Sequence, residues 1–161
     1  MAIVYKAPED TWKHLGWNPD SDPIRIFLAG SIDMGKAENW QERLERELAD
    51  YDAVICNPRR DDWDSTWVQS IHNEQFFEQV NWELQNIENA DLVVFYFDPN
   101  GQAPITLMEL GLAAMSTSEV IVCCPDGYWR KGNVEMVCDR YNLPLCNDID
   151  EFIELIKTYI V

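Results

Sequence analysis

Positive charge is what this sequence has least of: 12 Lys and Arg stand against 29 Asp and Glu, for a net charge of −17. So acidic a chain excludes sequence-independent binding to a nucleic-acid polymer, which needs cations to displace counterions. It leaves a small neutral nucleoside open as a ligand. Histidine is scarce as well, with His14 and His72 alone, so no metal site of the His/Cys zinc type is expected. The five cysteines form no CxxC and are odd in number. They read as free thiols in a reducing compartment, several of them in or beside apolar runs. No apolar run approaches the roughly 18 residues of a membrane span, and the mixed polar N-terminus is no signal peptide. A cytoplasmic protein without membrane contact is the expectation. Three motifs are also missing. Without GxGxxG or a P-loop there is no support for a dinucleotide fold or an NTPase. Without GxSxG there is no nucleophile elbow.

What is present is an alternation of apolar strands and amphipathic helices. With 161 residues, 47% of them hydrophobic, the chain has the volume for one domain, residues 1–161. Residues 1–23 carry Pro8, Pro19, Pro23, Trp12 and Trp17 without periodicity, and read as an N-terminal arm packed down by its aromatics. Strands are expected at Ile24–Ala29, Ala53–Cys56, Leu92–Phe97, Val120–Cys124 and Leu143–Cys146. Helices are expected at Asn39–Tyr51, Gln75–Asn89, from Pro104, at Val134–Tyr141 and at Asp150–Val161. On the second helix Phe76, Val80, Leu84 and Ile87 form the expected buried face, with Gln79 and Glu83 one turn apart beside it. The fold class is α/β: a doubly wound, flavodoxin-like, five-stranded parallel sheet with helices on both faces.

In such a sheet the loops after the first three strands share one rim, where ligands bind. They hold Gly30-Ser31-Ile32-Asp33, then Asn57–His72, then Asp98–Thr106. The loop after Asn57 is long for a compact domain and rich in Arg, Asp and Trp, which marks it as functional. Carboxylate pairs suit chemistry at an anomeric carbon, one attacking and one moving the leaving group's proton. Glu109 is the acid at the start of the third helix. Thr106-x-x-Glu109 also fits a capping box, in which Glu109 would only satisfy backbone N–H groups. Asp98 can equally be a turn residue. Trp63 and Trp67 can stack on a base or pack the loop down. Arg59 and Arg60 are expected to pair with Asp61, Asp62 or Asp64.

FLAGSI, NPRRDDWD, QVNWEL and ADLVVFYFDPNGQAPITLMELG, in that order, resemble the nucleoside 2-deoxyribosyltransferase superfamily from about Ile24 to Cys124. The resemblance implies that Glu109 is the nucleophile that attacks C1′ of a deoxyribose and forms a covalent glycosyl-enzyme. It implies that Glu83 carries the proton of the base, although the family more often has Asp there. Asp98 is the acid nearest the loop position, six residues before the nucleophile, where strong transferases carry an acid and this chain has Ala103. Gly30, Ser31, Asp33, Asn57, Trp63 and Thr106 are carried as substrate-binding candidates. Asn133 resembles an Asn that reaches a neighbouring subunit's sugar site, which implies a homo-oligomer. Related hydrolases of deoxynucleoside 5′-monophosphates have Arg where this chain has Asp33, and a carboxylate repels phosphate. The implied substrates are therefore a nucleoside and a free nucleobase, with no cofactor. Two alternatives stay open: an N-glycosidase with water as acceptor, and a non-catalytic nucleoside- or nucleotide-binding module.

Overall fold

The computed structural model of the chain describes residues 1–9, 20–32 and 38–161. Its elements run β1 (Ile3–Lys6), β2 (Ile24–Gly30), α1 (Trp40–Glu47), β3 (Ala53–Asn57), α2 (Glu74–Asn89), β4 (Leu92–Tyr96), α3 (Pro104–Ala114), β5 (Glu119–Cys123), α4 (Lys131–Tyr141), β6 (Leu145–Cys146) and α5 (Ile149–Ile160). The strands form one sheet in the order β1-β3-β2-β4-β5-β6, and every pairing is parallel.

Helices cover both faces, and the strands show why. Val93, Phe95 and Phe97 join the core under α2, α3 and α4 with Trp82, Leu110 and Val134. Leu92, Val94 and Tyr96 join the core under α1 and α5 with Trp40, Leu44 and Phe152. Two-sided burial is what a continuous apolar run such as LVVFY is for, since a parallel sheet has no wet face.

The sheet has six strands rather than the expected five. The sixth is β1, inside the stretch read as an arm; it pairs with β3 from Ile3↔Val54 to Lys6↔Asn57. It is a short edge strand, half covered, so it lacks the solid apolar run that betrays a central strand. The arm's aromatics Trp12 and Trp17 lie outside the described residues.

Helix α1 ends at Glu47, four residues short of the expected Tyr51, and two further helices differ from the sequence reading. The buried residues of α2 are Gln79, Trp82, Asn86 and Ile87, while Phe76, Val80 and Leu84 are half-buried. Polar groups take the inner face because partners wait there. The amide of Gln79 reaches Pro58 O at 3.0 Å, and the Trp82 indole N–H reaches Glu9 O at 2.8 Å. Helix α4 begins at Lys131, which puts Asn133 in its first turn and not in a loop.

Candidate functional site

The order of the strands reverses at β2, with β3 on one side and β4 on the other. The rim above that point is where a doubly wound sheet opens a crevice. Gly30 ends β2 there because nothing larger fits. A Cβ at this position would lie 2.5 Å from Tyr96 O and 2.6 Å from the Trp40 ring. Ser31 then joins two rim loops. Its N–H donates to Tyr96 O at 3.0 Å, its Oγ accepts from Asp98 N at 3.0 Å, and its carbonyl accepts from Trp40 Nε1 at 3.1 Å. Asp98 is buried beside it and closes a tight turn. Its Oδ1 accepts from Asn100 N at 2.8 Å, and its carbonyl accepts from Gly101 N at 3.0 Å.

The chain enters α3 through a pinned loop. The Gln102 carbonyl accepts from Tyr128 Oη at 2.7 Å and from Trp129 Nε1 at 2.8 Å. Ala103 is the N-cap in a left-handed conformation, φ 43° and ψ 54°, and Pro104 opens the helix. The capping box therefore does not form. Thr106 and Glu109 both lie inside the helix and both are buried. Among the described residues no donor bonds the Glu109 carboxyl.

Glu109 is 8% exposed. Burial pushes its titration from 4.5 up to about 8, and the Glu83 charge adds to the push. Glu83, on the facing helix α2, is raised as well, mainly by burial, while a hydrogen bond from Gln79 acts in the opposite direction. Both shifts run upward and the Glu83 charge reaches Glu109, so the two carboxyls titrate as a pair.

Gln79, noted in the sequence for its spacing from Glu83, was not among the candidate site residues. Its Nε2 donates to Glu83 Oε1 and to Pro58 O, both at 3.0 Å, and its Oε1 accepts from Arg60 Nη1 at 3.4 Å. The four-residue spacing from Glu83 was the available signal.

Other candidates are placed around this pair or apart from it. Both amide atoms of Asn57 are engaged: Nδ2 donates to Glu45 Oε1 at 2.6 Å and Oδ1 accepts from Arg59 N at 2.9 Å. Arg60 pairs with Asp62 through two bonds of 2.9 Å, whereas among the described residues Arg59 reaches Gln41 and no carboxylate. Trp63 packs edge-on against Trp67 at 5.0 Å, and Arg60 lies 5.3 Å from the Trp67 ring. Asn133 opens onto a cavity of about 310 Å³ between α3 and α4, with Leu107, Leu110, Gly111 and Arg130. Neither Glu109 nor Glu83 lines that cavity. Asp33 lies outside the described residues. Among the described residues no three His, Cys, Asp or Glu side chains are grouped to hold a metal.

Known proteins carry related architecture. The chain is similar to the crystal structure of a conserved protein from Enterococcus faecalis V583, at 14% identity and a TM-score of 0.62, over 85% of this chain and 99% of that one. At that identity the likeness speaks for the fold alone. No curated protein matches the chain. The family model for nucleoside 2-deoxyribosyltransferase-like proteins matches residues 23–128, a span that takes in β2 through β5 and both carboxyls. By that match the chain belongs to the nucleoside 2-deoxyribosyltransferase-like family.

Proposed function

We propose that the protein cleaves the N-glycosidic bond of a 2′-deoxynucleoside and transfers the deoxyribosyl group to another nucleobase. The observation that carries this reading is buried Glu109 on α3 with half-buried Glu83 of α2 in electrostatic reach, both carboxyls raised. A carboxylate oxygen of Glu109 attacks C1′, and the C1′–N bond breaks with its electrons going to the base. The departing base takes a proton from Glu83. The incoming base returns that proton to Glu83 as its nitrogen attacks C1′ and releases Glu109. Two displacements retain configuration at C1′. One shared proton meets both needs, an ionised nucleophile and an acid for the leaving group. A bell-shaped pH profile follows, since full protonation removes the nucleophile and full ionisation removes the acid.

Gly30, Ser31 and Thr106 would line the sugar side of the site, and Trp63 the base side. The net charge of −17 and Asp33 favour a nucleoside over a nucleotide. Asn133 lines a cavity that neither carboxyl of the pair lines, and we infer that it serves the site of a second copy. Salvage of nucleobases in the cytoplasm is the setting this chemistry suits.

A hydrolase is the second reading, favoured by Ala103. The loop has no acid where strong transferases carry one, and water can then replace the acceptor base. Incubation with a deoxynucleoside and a second free base separates the two. Exchanged nucleoside supports transfer; free base formed without an acceptor supports hydrolysis. The Glu109→Ala variant should stay folded and lose about a thousandfold or more in turnover. A protein with no turnover on any purine or pyrimidine deoxynucleoside would be a binding module.

A further inference from the structure

The amide of Gln79 can point only one way. Arg60 offers only donors, so it must face Oε1, and the Pro58 carbonyl only accepts, so it must face Nε2. One N–H of Nε2 is then spent on Pro58 and the other is delivered to Glu83 Oε1 at 3.0 Å. Gln79 is buried, so water does not compete for these bonds. Arg60 is itself fixed by Asp62 and lies 3.7 Å from Glu78. The long loop after β3 is thus wired through Gln79 to a carboxyl of the reactive pair.

We propose that Gln79 is the positioning residue of the site: it aims Glu83 at the reacting centre and decides which of the two carboxyls holds their shared proton. This rests on the reading of Glu83 and Glu109 as the working pair. A donor can bond a carboxylate but gains nothing from a carboxylic acid's own hydroxyl, so Gln79 favours ionised Glu83. Glu109 has no such donor among the described residues, so the shared proton is drawn toward it. Among the described residues the charged groups around Glu83 are Glu109 on α3 and, through Gln79, Arg60 with Asp62 and Glu78. When substrate binds, Glu109 must give up that proton to attack, and Glu83 must hold it long enough to pass it to the base. No other proton source is required, and the pair returns to its starting charge after the second displacement.

The test compares the wild type with Gln79→Met, which keeps length and volume but has no donor. Carboxyl carbons of labelled Glu are titrated by NMR without substrate, with Glu83→Gln identifying the Glu83 signal. Gln79→Met should raise the Glu83 midpoint by about one pH unit or more and lower that of Glu109. In the rate profile the acid limb should move in step with the Glu109 midpoint, with KM changing less than threefold. Gln79→Leu removes the donor without adding charge, and should move the Glu83 midpoint the same way if the Met variant fails to fold. An unchanged Glu83 midpoint in a folded variant overturns the proposal. The titration needs no turnover, so the two readings fail separately. A shifted midpoint in a protein inert toward every deoxynucleoside would keep the wiring and remove the proposed reaction.

Discussion

Glu109 stores an instability. Its side chain titrates near 4.5 when solvated and at about 8 in the folded protein. Between those values the folded state binds a proton that the unfolded state has released. The contribution of Glu109 to stability is therefore fullest below about pH 4.5 and declines as pH rises through about 8, and Glu83, also raised, acts in the same direction. Replacing Glu109 with Gln removes the buried charge and keeps the shape. The Glu109→Gln variant should melt close to the wild type at pH 5 and several degrees higher at pH 8, at roughly 2–4 °C per kcal/mol for a domain of this size. A melting difference that stays constant across this range, read by calorimetry, would contradict the assignment. Such a gain at the expense of activity is the usual mark of a site kept under strain.

Gly30 is the opposite kind of residue, one whose importance lies in what it leaves out. The space its missing side chain would fill belongs to Tyr96 O and the Trp40 ring. Gly30→Ala should cost about 1–3 kcal/mol in urea unfolding, because backbone and a fully buried indole cannot both yield. An unaltered midpoint would mean that β2 and β4 can part without penalty.

Among the elements, α3 carries the nucleophile of the proposed reaction. Its inner face holds Thr106, Glu109 and Leu110. Its outer face shows Ile105, Met108, Leu112 and Met115, all exposed and spaced as one stripe, with exposed Phe77 on the adjoining α2. Apart from buried Glu109, the helix PITLMELGLAA contains no charge, although the chain carries −17. An uncharged, apolar strip on so acidic a molecule is where two copies can meet with least repulsion. The proposed homo-oligomer is best tested there. Met108→Glu with Leu112→Glu should leave the fold intact and convert the wild-type oligomer to monomer in light scattering. A wild type that is already monomeric at tens of micromolar would sink the proposal.

Element boundaries also explain why the capping box failed as a reading. Thr106 and Glu109 have the right spacing, but Ala103 and Pro104 start the helix earlier. Pro at the first helical position is itself a start signal, since its missing N–H needs no partner. On α2 the apolar spacing was read correctly as helical but assigned to the wrong face. The interior there accepts amides because Pro58 O and Arg60 satisfy them. Polarity alone could not reveal that, since a buried Gln and an exposed Gln look alike in sequence.

At the scale of the molecule, the two cores meet across one sheet, and all five cysteines lie inside as free thiols. Burial pushes Cys56 and Cys124 up to about 12 and Cys138 and Cys146 up to about 11, and Cys123 is raised in the same way. Thiolate is the reactive form, so these groups should be inert in the native protein. A disulfide reagent at pH 8 should titrate none of them until denaturant is added, and then all five. Rapid reaction of one thiol without denaturant would reveal a local opening that the packed sheet does not suggest.

The sequence by itself determined the α/β alternation, the central strands and the candidate carboxyls, because period, apolar runs and short motifs are local properties. It determined the chemistry on offer too, since the acidic balance and the scarcity of histidine do not depend on how the chain folds. Tertiary structure decided what local pattern cannot carry. Strand β1 became a strand only because β3 had a free edge beside it. Glu109 became a buried acid instead of a cap because α3 begins at Pro104 and turns that side chain inward. Gln79 became part of the site because Arg60 and Pro58, about twenty residues away along the chain, fix its amide toward Glu83. Charge state follows from solvent exclusion and from neighbours brought together by folding, and both are properties of the packed molecule.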